Sequence, residues 1–464
     1  NMLAQAELAT AAAWDAARAA SVPDEAELPT AVAAAVAFPA FLLCANKNMQ
    51  VHGGIGFTYA HDCHLYFRRA MSLMALFGPV EAAREQVLAS ALAGARPTAH
   101  LDPPEGSDEL RAEVRAFAER YRALPEAERR GALLESGYLL PHWPKPWGRA
   151  ATPAQQLVID QELAGVARAE LGIGGWVALT LTAVGTAEQQ ERWVRPVLDG
   201  TLALCQLFSE PNAGSDLAAL KTKAVRAAGG WIVNGQKVWT SGAHTADWGY
   251  ALVRTNPDAP KKHAGLTVMM IDMKAPGVEV RPLRQITGDA HFNEVFLTDV
   301  YVPDSDVIGD VNQGWSVARA TMGNERLVIG SKITHVDPEE MLKLAAASAP
   351  LGSVIRQDVA ALLAEHHALT MLDLRASMRA VLGSEPGPEG NITKLLGNEL
   401  DQRFAEVGMR MLGSSAASAL DGEHEFWGYQ FLFTRAYTVG GGTSEMSRNT
   451  IGERILGLPR DPGR

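Results

Sequence analysis

CQLFSEPNAGSDLAALKTKA, residues 205–224, and the NGQKVWTSGAHTADWG that follows at 234–249 decide how this chain reads. The first stretch opens as a short apolar strand and breaks at Asn212-Ala213-Gly214-Ser215, small turn residues that let backbone approach a ligand closely. Ser209 and Ser215 add hydroxyl groups, although a plain turn between strands has the same composition. The second stretch holds an Asn-Gly pair, a hairpin signal, and its period-two alternation puts Trp239 and Ser241 on one face. An aromatic plane beside a hydroxyl suits an isoalloxazine ring; a core tryptophan would look the same taken alone.

Outward from there, short β-branched and aromatic runs separated by turns predict a β-domain over 203–312. Helical periodicity on its N-terminal side predicts a helical domain at 108–202, and on its C-terminal side another at 313–464. RPTAHLDPPEGSDE lacks apolar periodicity and predicts a linker at 98–107. Residues 1–97 are again helical and Ala-rich, interrupted by VHGGIGFTYAHD, and they begin as if in mid-fold. The front piece resembles the tail: QVHGGIGF before LYFRRA (50–70) sits like MRMLGSSAA before FLFTRA (409–436), which suggests two diverged copies of one helical domain.

Composition narrows the class. Of 464 residues, 47% are apolar and 20% charged, as in a globular enzyme. A net charge of −11 argues against a general nucleic-acid binder. No membrane span is expected, and three scattered cysteines point to a reducing cytoplasm.

FSEPNAGSD, NGQKVWTSGA, FNEVFLTDVYVP and GGGTSEMSRNTIGERILGLPR, in this order and spacing, resemble the acyl-CoA dehydrogenase family. The resemblance covers nearly all of 108–464. It implies an α+β, mainly α fold: a helical domain, a central β-domain and a C-terminal four-helix bundle, here preceded by part of a second bundle. It also implies FAD as cofactor, an acyl-CoA thioester as substrate and an electron-transfer flavoprotein as acceptor. By motif position Gln206, Phe208, Ser209, Trp239, Ser241 and Thr443 become flavin contacts, and Ser215 a contact to CoA.

The family's α,β-dehydrogenation needs a base for the α-proton and donors on the thioester oxygen. Many members carry the base in a Glu-Gly-Thr loop. Here that loop is Gly440-Gly441-Gly442-Thr443, so Gly441 replaces the glutamate and keeps only a backbone N–H for the oxyanion. Isovaleryl- and long-chain-type members place the base on a helix just before a substrate-serving arginine. GNERL supplies Glu325 and Arg326 in that arrangement, and Glu325 is the expected base; a solvated glutamate near a helix start is the bland alternative.

Gln50, Gly53 and Gly54 of the front piece resemble the family's Gln-x-x-Gly-Gly-x-Gly element, which reaches a neighbouring subunit's FAD phosphates through open backbone N–H groups. The tail has MLGSS instead, and where the tail has GGGTSEM the front has ALFGPVEAA. Each copy keeps what the other lost, and the resemblance is to fused or heteromeric dehydrogenases of actinobacterial steroid side-chain breakdown. A composite FAD site in a homo- or hetero-oligomer follows as the expectation. The family's Arg-x-Gln-Phe-Gly segment is missing from 326–360. A non-catalytic partner subunit and an acyl-CoA oxidase are the competing readings. No metal site is expected: His52, His61, Cys63 and His64 match no tetrahedral spacing, and His366-His367 reads as packing.

Overall fold

The computed structural model describes residues 1–22, 25–98, 101, 105–168, 171–329, 333–384, 387–418 and 422–460, with backbone alone at 326–329, 417–418 and 422–424. The front piece contains α1 (Met2–Ala19), α2 (Glu27–His52), α3 (Cys63–Phe77) and α4 (Val80–Leu92). Next come α5 (Asp108–Ala123), α6 (Glu126–Glu135), α7 (Pro153–Glu162), α8 (Gly172–Val184), α9 (Ala187–Gln189) and α10 (Arg195–Asp199). Strands β1 (Leu204–Leu207), β2 (Lys223–Ala227), β3 (Gly230–Ser241), β4 (Trp248–Arg254), β5 (Leu266–Asp272), β6 (Val278–Leu283), β7 (Phe292–Pro303) and β8 (Val307–Ile308) follow. Helices α11 (Gly314–Ile329), α12 (Pro338–Ala347), α13 (Ser353–Val381), α14 (Glu389–Leu412), α15 (Gly422–Phe433) and α16 (Ser444–Thr450) complete the chain.

The chain forms two compact units, Asn1–Asp102 with Lys332–Arg464, and Pro103–Ser331. In the second unit the strands run β6-β7-β3-β2-β4-β5-β8, with β1 parallel to β4. One face of this sheet buries Val233, Ala251, Val253, Met269, Ile271 and Val295. The other packs on the helices through Tyr250, Leu252, Val268 and Met270. Helix α8 carries little helical period in its sequence, yet Trp176, Val177, Ala178 and Leu181 are all buried. Its glycines allow close packing: a Cβ on Gly174 would lie 3.0 Å from Val197 Cγ1.

In the first unit, front and tail helices share one core. Leu8, Val32 and Leu88 join Leu363, Leu372, Ile392 and Phe404. Asp15 on α1 pairs with His367 on α13, Oδ2 to Nε2, at 2.7 Å with both side chains buried. Burial pushes Asp15 upward, but the bonds from His367 and Arg18 outweigh it, and its carboxyl sits below the usual range. His366 is lowered to about 4, chiefly by burial.

The two copies end their second helix alike. Gly53 closes α2 at φ +62°, ψ −141°, and Gly413 closes α14 at φ +59°, ψ −133°. The Gly53 N–H bonds the Gln50 carbonyl, three residues back, and the Gly413 N–H bonds the Met409 carbonyl, four residues back; a 3₁₀ turn follows each. The positive φ explains glycine at both places.

One helix of the first unit is more apolar than its neighbours. Residues 27–57 are long and apolar enough, by length and composition, to cross a membrane. The reason is visible in the sequence: no charged residue occurs from Leu28 to Asn46. In the structure α2 directs Leu28, Ala31, Val32 and Ala35 into the core of the first unit, so the same composition also serves a packed helix.

Candidate active site

In the second unit the site is built where β1, α8 and α11 meet. Gln206 on β1 accepts the Trp176 indole N–H through Oε1 at 2.7 Å. Its Nε2 donates to Glu325 Oε2 on α11 at 3.4 Å. Helix α11 is held by two further bonds: Asn324 Nδ2 donates to Thr180 Oγ1 at 3.1 Å, and Tyr250 and Thr321 share a hydroxyl pair at 3.0 Å. Burial pushes the Tyr250 phenol far up, so it stays neutral. Phe208 lies on the Tyr250 ring at 5.8 Å. Gln206, Phe208 and Glu325 are therefore brought together, with Glu325 half-buried. The Arg326 side chain lies outside the described residues.

Trp239 is presented by a bulge. Lys237 pairs with Val295 and Thr240 with Asn293, so three steps on β3 face two on β7. At this insertion Trp239 adopts φ +59° and remains 62% exposed, its ring edge-on to Phe292. A large side chain in the left-handed region is costly and persists only where its surroundings fix it. Thr240 is buried behind it and Ser241 half-buried beyond. Val238 N–H donates to Ser209 O at 2.9 Å, which ties the β1 exit to the bulge.

Two residues before Trp239, β3 carries one half of a buried ion pair. Lys237 is fully buried and its Nζ donates to Glu210 Oε1 at 2.9 Å, Leu252 O at 2.7 Å and Phe208 O at 3.1 Å. Glu210 also accepts the Lys221 and Thr222 N–H groups at 2.6 and 2.8 Å, closing the loop that carries Asn212 and Ser215. Ser215 itself is exposed. Burial lowers the Lys237 ammonium to about 8. On Glu210 burial pulls upward, but the Lys237 charge and the hydrogen bonds from Lys221 and Thr222 together outweigh it, leaving the carboxyl below its ordinary value.

In the first unit, Gly441 and Gly442 take φ +61° and +98°, and Lys394 Nζ donates to both carbonyls. Asn398 Nδ2 reaches Tyr437 O at 2.8 Å and Gln402 Nε2 reaches Thr438 Oγ1 at 2.8 Å. Thr443 caps α16, accepting the Met446 N–H at 3.2 Å. Lys394, Asn398 and Gln402 lie at i, i+4 and i+8, one stripe of α14, which holds the glycine loop. Setting Gly53 against Gly413 matches Ala45 to Ala405 and Met49 to Met409, and places Ala34, Phe38 and Leu42 opposite that stripe. In the front copy Phe38 stacks on Phe77 at 5.2 Å, and an apolar cleft of about 620 Å³ opens beside Ala34 and Pro79.

Gln50, Gly53 and Gly54 are exposed, and a Cβ on either glycine would meet nothing within 4 Å. Gly56 differs, since its Cβ would lie 2.6 Å from Met49 O. The fold also gathers His52, His61 and Cys63, which the sequence spacing had separated. Cys63 Sγ accepts from Asn48 Nδ2 at 3.2 Å and lies 3.0 Å from His61 Nδ1. His52 Nδ1 sits 2.8 Å from Asn48 O. These contacts tie the end of α2 to the start of α3 across the glycine turn.

Sequence reasoning missed Trp176, Lys237, Glu210 and the α14 stripe. The stripe's four-residue spacing was a usable signal, and so was a lysine inside an apolar strand.

Three family profiles match the chain: acyl-CoA dehydrogenase N-terminal domain over 104–201, middle domain over 205–300, and C-terminal domain over both 1–92 and 312–456. The chain belongs to the acyl-CoA dehydrogenase family. It is 45% identical over 464 residues to acyl-CoA dehydrogenase FadE34 of Mycobacterium tuberculosis, covering 99% of this chain and 64% of that protein's length. Acyl-CoA dehydrogenase IpdE1 of the same organism is 40% identical over 61% of this chain and 74% of its own. Among solved structures, the Tcur3481-Tcur3483 steroid ACAD is similar with a TM-score of 0.63 at 27% identity, covering 78% of this chain and 100% of that one. The ChsE4-ChsE5 complex from Mycobacterium tuberculosis is similar with a TM-score of 0.57 at 29% identity, over 78% and 100%.

Proposed function

We propose that this chain is an FAD-dependent acyl-CoA dehydrogenase acting on bulky CoA thioesters of the steroid side-chain class. The observation that carries the reading is Glu325, held on α11 within reach of Gln206, on the strand that leads into Phe208 and Ser209.

The residues present fit a flavin. Trp239 offers an exposed indole, Ser209 and Ser241 offer half-buried hydroxyls, and Gly53 and Gly54 offer backbone with no side chain to displace. Bound FAD supplies the acceptor for the β-hydride. Phe208, Trp239, Ser209, Ser241, Gln206 and Thr443 are assigned to holding it, and Gln50, Gly53 and Gly54 to its phosphates. Glu325 takes the α-proton on a carboxylate oxygen. Gln206 keeps that carboxylate oriented and is itself fixed by Trp176. The Gly441 N–H stabilises charge on the thioester oxygen, its loop held by Lys394. Ser215 and Arg326 serve the CoA ester.

The substrate class is supported by the similarity to the Tcur3481-Tcur3483 steroid ACAD. An electron-transfer flavoprotein as acceptor, an oligomer with a composite FAD site, and a reducing cytoplasm complete the proposal. The five domain segments, 1–97, 98–107, 108–202, 203–312 and 313–464, belong to it as well.

The test is a titration of purified protein with straight-chain and steroid-tailed CoA thioesters, following flavin absorbance near ~450 nm. Bleaching by the steroid-tailed series supports the reading. A protein that stays colourless after FAD soaking is a non-catalytic partner subunit, and peroxide formed without an added acceptor marks an oxidase.

A further inference from the structure

The Lys237 ammonium has three protons and three acceptors, each in a different part of the fold: Phe208 O at the β1 exit, Glu210 Oε1 in the following loop, and Leu252 O on β4. Lysine is an expensive choice at a fully buried position. Desolvating an ion pair costs several kcal/mol per ion, and apolar residues of similar volume are often as stable. Its neighbours suggest what the lysine does instead. Two residues on, Trp239 is held at φ +59° in the bulge. One residue on, Val238 is tied to Ser209. Glu210, the counter-charge, closes the 210–222 loop on two backbone N–H groups.

We propose that Lys237, with Glu210, is the positioning residue of the flavin bed. Its three bonds lock the β1 exit, the Ser215 loop and the Trp239 bulge into one register, so that Ser209, Trp239 and Ser241 are presented together. An apolar residue would fill the space but leave the Phe208 and Leu252 carbonyls without their donor, and β3 could then relax the bulge by slipping one residue. Lys237 touches neither substrate nor cofactor in this account; it acts through the backbone it anchors. The inference rests on the flavin reading of the site, and its test keeps the two apart.

The variants are Lys237→Met and Glu210→Gln in the full chain, with Trp239→Phe used to assign the Trp239 contribution to emission. In protein without flavin, acrylamide quenching of that contribution reports how Trp239 is presented. In FAD-loaded protein, the dissociation constant and the fine structure of the visible band report the bed. Lys237→Met is expected to keep the far-ultraviolet circular dichroism and a cooperative melt, to alter Trp239 quenching, and to weaken FAD by about tenfold or more, as small displacements at a site do. Glu210→Gln keeps the lysine and an amide acceptor; it should weaken FAD severalfold, and it decides the matter if Lys237→Met does not fold. A folded variant with unchanged Trp239 quenching and FAD affinity within about twofold of the unaltered protein overturns the positioning role. If the unaltered protein takes up no flavin, the flavin reading fails and this role fails with it.

Discussion

Gln206 stands between Trp176 and Glu325, taking the indole proton at 2.7 Å and donating to the carboxylate at 3.4 Å. The indole N–H is donor only, so it fixes which end of the amide faces Trp176. The N–H₂ end is left for the glutamate. A carboxylate that meets an amide donor is oriented without being neutralised, which suits a group that must accept a proton.

Replacing Glu325 by Gln preserves shape and removes the proton acceptor. Flavin content should be unchanged, and the rate of flavin bleaching by substrate should fall by about 10²–10⁴, the usual worth of a positioned base. Rapid-mixing absorbance measures it. Full activity would send the base role to another residue.

Lys394→Met removes the donor to the Gly441 and Gly442 carbonyls. We expect a loss of ~1–3 kcal/mol in denaturant unfolding, and a fall in kcat larger than any rise in KM if the Gly441 N–H serves the transition state. Lys394→Arg should restore part of both. Equal stability and kinetics would leave the stripe without a role in holding the loop.

Gly54→Val separates ligand binding from folding. Gly54 has open space around it, whereas Gly53 needs its positive φ. Valine at 54 should leave the melting midpoint nearly unchanged, within about ±0.5 kcal/mol as at open surface positions, while FAD retention on gel filtration drops. Retention at the unaltered level would reduce the loop to a turn.

Asp401 gives a pH signature. Its Oδ1 accepts the His335 and Val336 N–H groups at 2.8 Å each, while Oδ2 is buried with no partner among the described residues. Burial pushes the carboxyl from 3.8 up to about 7. The folded state binds the proton more tightly, so this contribution is full below pH 3.8 and is lost as pH rises through about 7. Asp401→Asn should flatten that decline and be the more stable protein at pH 8, by on the order of 2 kcal/mol. Thermal melts from pH 5 to 8 check it; parallel curves for the two proteins would rule it out.

Turn chemistry and period-two runs made the β-domain legible, and a helix ending at the HGGIG turn was legible too. The bulge at Trp239 was not, because alternation cannot reveal one inserted residue when the strand resumes its period afterwards. Lys237 was passed over because lysine normally reads as solvent-facing. α8 was obscured by three glycines and β-branched residues, whose propensity is overridden once Trp176 and Leu181 are buried. Asp15 and His367 are 352 positions apart, and no local pattern pairs a front-piece acid with a tail histidine. Nor did spacing show His52, His61 and Cys63 converging; only the reversal at Gly53 does that.

Gly53 and Gly413 make the same backbone reversal at the ends of α2 and α14, yet what surrounds each has diverged. In an assembly of identical subunits, every such corner must serve all purposes at once, and a change that helps one harms another. A chain that carries both corners covalently is released from that compromise. One could specialise in open backbone while the other kept the Lys394 stripe that pins its glycine loop. Inherited defects in the two halves should then fail differently, and neither half should be able to stand in for the other.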